Sequence, residues 1–142
     1  GAYFEVKRHR MMTQTPQHLT ANLGYAVPSA IFAAGLLEEF SAAMEEARIT
    51  YNQIADDDPH LAAYVVPNGF NRRVLLTVNL RSLVHFIRLR SARNAHFSVR
   101  RVAQRMAEEV AVKLPELTTL LGRNELETSQ SVEETNFYST SQ

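Results

Sequence analysis

Apolar residues recur through the first half of the chain at alternating intervals of four and three: Ala33, Leu37, Phe40, Met44, Ala47, Tyr51 and Ile54. This spacing predicts one amphipathic helix running from a Ser29 cap to about Ala55. Glu38, Glu39, Glu45 and Glu46 mostly fall off the stripe, as residues of a solvated face do. Asp56-Asp57-Asp58-Pro59 then reads as a helix terminus, because consecutive acids cannot converge on one metal ion without a purpose-built loop.

Elsewhere the pattern is shorter-ranged. Residues 2–7 alternate as a strand would, and Met11 to Pro28 is rich in Thr, Gln, Pro and Gly, which suits an irregular connection. A short turn or helix at 59–65 precedes the breaker Pro67-Asn68-Gly69. Val74, Leu75, Leu76 and Val78 within 72–78 fit either a buried strand or an extended entry into a helix. Asn79 can cap a helix reaching about Ser91, and a further helix from about Asn94 to Leu114 buries Val99, Val102, Met106 and Val110 before Pro115 interrupts it. Beyond Gly122 the composition shifts to Ser, Thr, Gln and Glu. The expected architecture is an α+β, helix-dominated domain over 1–121 with a small sheet, followed by a polar tail over 122–142 packed on a neighbour through Phe137 and Tyr138.

With 142 residues, 45% of them hydrophobic, the chain has material for one core. Fifteen Lys plus Arg balance fifteen Asp plus Glu, so no global field would hold DNA or RNA, although arginines cluster locally at 8–10, 72–73 and 81–105. The absence of cysteine removes disulfides, thiolate metal sites and any cysteine nucleophile, and points to a cytoplasmic compartment. The five histidines show no metal-ligand spacing, and no Gly-rich phosphate loop is evident. No apolar run approaches the roughly 20 residues needed to span a bilayer, so a soluble protein is expected.

On a helix beginning near Asn79, Arg81, His85 and Arg88 fall within about one 60° stripe. Near a helix N-terminus, such a stripe can cradle a diphosphate or a carboxylate. Equally, the three side chains can pair with acidic residues of the long helix.

Two strings carry a family resemblance: Arg8-His9-Arg10-Met11-Met12-Thr13, and Asn79-Leu80-Arg81 continuing through His85 to Leu89-Arg90. Together they resemble the flavin-dependent thymidylate synthases, whose patterns are Arg-His-Arg-x-x-Ser and Asn-x-Arg, a His or Asn four residues later, then Leu-Arg. Thr13 stands where that family has serine. The resemblance implies that Arg8, His9, Arg10, Asn79, Arg81 and His85 contact FAD. It implies that Arg90 binds the pyrimidine of dUMP and acts catalytically by promoting its ionisation, a role suited to a permanently charged guanidinium. It further implies NADPH as reductant, methylenetetrahydrofolate as methylene donor and a homo-oligomer such as a tetramer, with no metal.

Departures are equally specific. Where the family holds dUMP with an acidic residue, a serine and an arginine, this chain has Pro16, His18 and Thr20, and Ala63 stands where a phosphate-binding arginine is expected. Family Ala-Gln-x-Glu-Ile-Arg becomes Ala95-His96-Phe97-Ser98-Val99-Arg100. The resemblance covers roughly Phe4 to Leu114, and family chains are longer. The flavin site reads as retained and the nucleotide site as eroded, which leaves two expectations: a thymidylate synthase-like domain, or a noncatalytic flavin-binding scaffold of a larger, duplicated protein.

Overall fold

The computed structural model describes residues 1–139. In chain order its elements begin with α1 (Ala2–Val6), β1 (Thr13–Pro16), β2 (Val27–Pro28), α2 (Ser29–Ala33), α3 (Leu37–Ala55), α4 (Pro59–Ala62) and β3 (Val74–Thr77). They continue with α5 (Leu80–Arg90), α6 (Phe97–Lys113), α7 (Thr118–Leu121), α8 (Ser129–Asn136) and β4 (Phe137–Tyr138). Two 3-10 turns, Ala63–Val65 and Pro115–Leu117, complete the helical content. β1 pairs with β3, and β2 pairs antiparallel with β4 in the register Val27 to Tyr138 and Pro28 to Phe137. The chain is therefore α+β and helix-dominated, as its pattern predicts. It comprises two compact units, Gly1–Gln14 with Leu76–Thr135 and Thr15–Leu75 with the segment from Asn136.

In the first unit α1, α5 and α7 pack on α6. Val6, Phe86, Ile87, Ala95, Val99, Ala103, Ala107 and Leu121 form its core. Burying a side chain the size of Phe86 or Ile87 contributes about 1.5–3 kcal/mol. Residues 2–7 are helical rather than a strand because Ala2, Tyr3 and Val6 meet this core at intervals of one and three, a helical period. Asn79 caps α5 by accepting a hydrogen bond from the Ser82 amide at 2.9 Å, so the cap read from the sequence is present.

The polar composition after Gly122 does not make a loose tail. Gln104, fully buried on α6, donates to the Asn124 carbonyl at 2.8 Å and accepts from Arg123 Nη1 at 3.2 Å. The Asn124 amide donates to Ser91 Oγ at 3.1 Å, and Ser129 donates from its amide and hydroxyl to the Glu108 carboxylate at 2.8 and 2.5 Å. Buried polar groups find partners, and here the Ser, Gln and Glu content supplies them.

The second unit is organised on α3, whose predicted stripe is realised from Phe40 to Ile54. Met44 and Tyr51 join Ala21, Ala62 and Phe70 in its core, with Phe40, Ala47 and Ile54 packed around them. Tyr25 lies edge-on to both Phe40 and Phe70, with centroids 5.8 and 5.7 Å away. The predicted single helix from Ser29 is broken into α2 and α3, because Gly35 adopts φ +71° and cannot continue the helix. Asp58 caps α4 through the His60 and Leu61 amides, at 2.8 and 3.1 Å. Phe137 and Tyr138 form β4, and Tyr138 stacks on Phe32 at 4.4 Å. Residues 140–142 of the predicted tail lie outside the described residues.

Gly122 ends α7 in the left-handed region, at φ +56°, and an added Cβ would stand 2.6 Å from Arg88 Nε. Gly122→Ala is expected to destabilise the fold by about 1–2 kcal/mol, from the backbone term alone, in urea denaturation. An unchanged midpoint would contradict this.

Candidate functional site

Six of the seven residues marked by the two sequence strings converge on one cavity in the first unit. Its volume is about 880 Å³, within the range of small-molecule sites. Arg8, His9 and Arg10 approach it from the turn after α1, and Arg81, His85 and Arg90 from α5. The same turn adds Lys7, Met11 and Met12, and α5 adds Ser82 and Leu89. Asn79 does not line the cavity. Its side chain is occupied in capping α5, which fixes the turn that carries Arg81.

The lining has two halves of different character. The side chains of Arg8, Arg10 and Arg81 make no hydrogen bond or ion pair among the described residues, and all three residues are exposed. Three unpaired guanidiniums give a ready site for phosphate oxygens, which Arg binds in a bidentate fork. Met11, Met12 and Leu89 supply an apolar surface beside them. A ligand that joins a diphosphate to a flat apolar ring system matches this donor set.

Arg90 differs from the other arginines. Its Nη1 pairs with Glu5 Oε2 at 2.5 Å, its Nη2 reaches the Glu5 carbonyl at 3.4 Å, and its Nε donates to His9 Nε2 at 2.8 Å. Both side chains of the ion pair are largely shielded, with 17% and 20% of their surface exposed. Glu5 Oε1 also accepts from the His96 amide at 3.2 Å, where α6 begins. One carboxylate thus joins α1, α5 and α6. Glu5 is absent from the sequence reading because residues 2–7 read as a strand; on a helix continuing into the turn, Glu5 and His9 stand one turn apart and face the same partner.

His9 accepts at Nε2, so its neutral ring carries its proton on Nδ1. Burial pushes its pKa below 6.5, the Arg90 guanidinium and His85 push in the same direction, and Glu5 opposes them. The ring packs edge-on to Phe86 with centroids at 4.8 Å and to His85 at 6.0 Å.

Arg88, third on the predicted stripe, does not join the cavity lining. It reaches α7 instead, where Nη2 donates to the Leu120 carbonyl at 2.9 Å, as suits a cation at a helix C-terminus. Among the described residues Arg81, His85 and Arg88 form no ion pair with an acid. Pro16, His18, Thr20 and Ala63, at the departed nucleotide positions, belong to the second unit, where the His18 ring meets His60 with centroids 4.8 Å apart. His96 caps α6, accepting at Nδ1 from the Ser98 amide, and Arg100 pairs with Glu127 at 3.0 Å, so both serve the fold. Among the described residues no helix is long and apolar enough to cross a membrane, and no group of three or more His, Asp or Glu could hold a metal ion.

The profile of the thymidylate synthase complementing protein family matches residues 2–116. A UPF0159 protein of Chlamydia muridarum is 42% identical over 110 residues, covering 78% of this chain and 21% of that protein. A flavin-dependent thymidylate synthase of Sulfurisphaera tokodaii is 35% identical over 89 residues, 61% of this chain and 35% of that enzyme. The chain spans about a fifth of the length of the UPF0159 relatives from Chlamydia. In structure it resembles the flavin-dependent thymidylate synthase ThyX from Helicobacter pylori, solved with FAD and dUMP: the TM-score is 0.61 at 21% identity, covering 85% of this chain and 66% of the other.

Because the folded chain holds the pKa of His9 below 6.5, the unfolded chain takes up its proton first as the pH falls. The stability contributed by this site is therefore present above 6.5 and declines as the pH drops from there toward the lowered folded value. His9→Gln is expected to flatten the pH dependence of the thermal midpoint between about pH 7 and 5. An identical slope in both proteins would remove His9 as its source.

Proposed function

The chain belongs to the thymidylate synthase complementing protein family, and from that premise we propose that it is a flavin-binding domain of the thymidylate synthase type, with its cofactor in the first-unit cavity. The observation that carries this reading is the convergence of Arg8, Arg10 and Arg81, all without acidic partners among the described residues, on one cavity with His9, His85 and an apolar wall. In this reading Arg8, Arg10 and Arg81 neutralise the diphosphate of FAD, and His85 and Ser82 offer hydrogen bonds along α5. Met11, Met12 and Leu89 exclude water from the ring. Asn79 acts by fixing the first turn of α5.

The proposed reaction of the longer protein is conversion of dUMP to dTMP with methylenetetrahydrofolate, in the cytoplasm and in a homo-oligomer. The chemistry a bound flavin would supply here is hydride transfer, with NADPH as the proposed source of reducing equivalents. Arg90 is the residue proposed to face the pyrimidine, with its orientation set by Glu5 and His9. The exposed face of α3, with Ala42, Ala43 and Ile49 between glutamates, is the proposed contact between copies.

A second reading, a noncatalytic flavin-binding scaffold, is favoured by Pro16, His18, Thr20 and Ala63 at the nucleotide positions. Losing three or four polar contacts at about 1–3 kcal/mol each weakens binding by several orders of magnitude unless another part of the longer protein replaces them.

FAD titration followed by flavin fluorescence should saturate, and Arg81→Ala should weaken it by about tenfold or more, as loss of a charge-assisted phosphate contact does. Absence of saturable binding in the unmodified protein would refute the flavin reading. FAD binding without dTMP formation in the full-length protein would select the scaffold.

A further inference from the structure

We propose that His9 is a specificity-determining residue that meets its ligand as a neutral donor of fixed sense: Arg90 occupies the Nε2 lone pair, which leaves Nδ1–H for a ligand atom that accepts. This rests on the reading of the cavity as a flavin site, where such an atom is a carbonyl oxygen, an unprotonated ring nitrogen or a phosphate oxygen.

An arginine Nε always carries its hydrogen, so the 2.8 Å contact from Arg90 Nε makes His9 Nε2 the acceptor. The donor is itself held in place. Arg90 Nη1 donates to Glu5, and the other Glu5 oxygen accepts from the His96 amide, so the guanidinium cannot turn Nε elsewhere without giving up that pair. The histidine is fixed as well. Its amide donates to the Val6 carbonyl at 3.0 Å, its carbonyl accepts from Gln14 Nε2 at 3.1 Å, and its ring lies edge-on to Phe86. Nδ1, the remaining polar atom of the ring, has no acceptor among the described residues and is not sealed inside the protein, while His9 lines the cavity.

A second proton is disfavoured on two counts. It would set Nε2–H against the Nε–H of Arg90, and it would add a charge beside Arg90 and His85 of α5, against which stands the Glu5 carboxylate of α1. His9 therefore recognises an acceptor atom and passes no proton to it.

Asparagine and glutamine separate the two sides of the ring. In His9→Asn the amide overlaps the Nδ1 side and still donates to the ligand; in His9→Gln it overlaps the Nε2 side, accepts from Arg90 and leaves the ligand without its donor. In the full-length protein, His9→Asn should keep FAD affinity within about twofold, and His9→Gln should lose about fivefold, the size of one neutral hydrogen bond. Magic-angle-spinning nitrogen NMR of the histidine-labelled full-length protein reads the proton directly, with His9 identified by its contact with the Phe86 ring. At about pH 7.5 the unmodified protein should carry the proton on Nδ1, and saturating FAD should move the Nδ1 resonance while the ring stays neutral.

A residue serving only the fold would leave that resonance unmoved by FAD. A proton on Nε2 in the unmodified protein, a doubly protonated ring with FAD bound, an unmoved Nδ1 resonance, or equal FAD affinities in the two variants overturns the inference. The first three are measured on the unmodified protein and stand even where a variant fails to fold. If FAD does not bind the unmodified protein, the flavin reading falls and this inference falls with it; if FAD binds and the His9 pattern fails, only the inference falls.

Discussion

The ion pair between Glu5 and Arg90 is the constraint on which the first unit's cavity depends. Arg90 lies in the last turn of α5, and Glu5 in α1, so the pair joins segments 85 residues apart. The same carboxylate holds the amide at the start of α6, and the same guanidinium holds His9. Removing one partner of a buried pair costs about 3–5 kcal/mol in general, because the surviving charge is left without compensation. With both partners in place, the turn bearing Arg8, His9 and Arg10 is fixed against the helix bearing Arg81 and His85, which is what turns two short strings of sequence into one wall.

Around that pair, hydrophobic and polar terms divide the work. Phe86 and Ile87 on α5 and Val99 on α6 are removed from solvent, and they set the spacing of the helices. The buried Gln104 and the partly shielded Glu108 then recruit the polar segment after Gly122. A sequence rich in Ser, Gln and Glu is ordered here by hydrogen bonds to α6 rather than by apolar burial, with Val132 as the one deeply buried apolar side chain of α8.

Much of this was legible before the fold was known, for reasons that differ from element to element. The α3 stripe was legible because a period of alternating fours and threes persists for five turns, and α5 because Asn79 combines a cap with apolar spacing. The meeting of Arg8, His9 and Arg10 with Arg81 and His85 came from the family resemblance; spacing alone cannot bring together residues some 70 positions apart. What escaped reading was short or nonlocal. The first helix has only five residues and alternates superficially, so its partner Glu5 passed unnoticed. Gly35 falls inside the stretch that carries the stripe, and its left-handed conformation marks the break. Arg88 was placed correctly on its stripe, but its long side chain found a helix terminus rather than the cavity.

The two units share one property with a consequence for how the protein is made. Each is assembled from separated stretches: Gly1–Gln14 closes with Leu76–Thr135, and Thr15–Leu75 closes with the strand that follows Asn136. During synthesis residues 1–14 emerge well before α5 and α6 exist to receive them, and β2 waits for β4 until Phe137 and Tyr138 have left the ribosome. Neither unit can finish folding while the chain is still growing through it, since loop closure must precede the contacts that stabilise it. A nascent chain of this kind exposes its arginine-rich turn and its apolar stripe together, and both depend on sequence not yet translated.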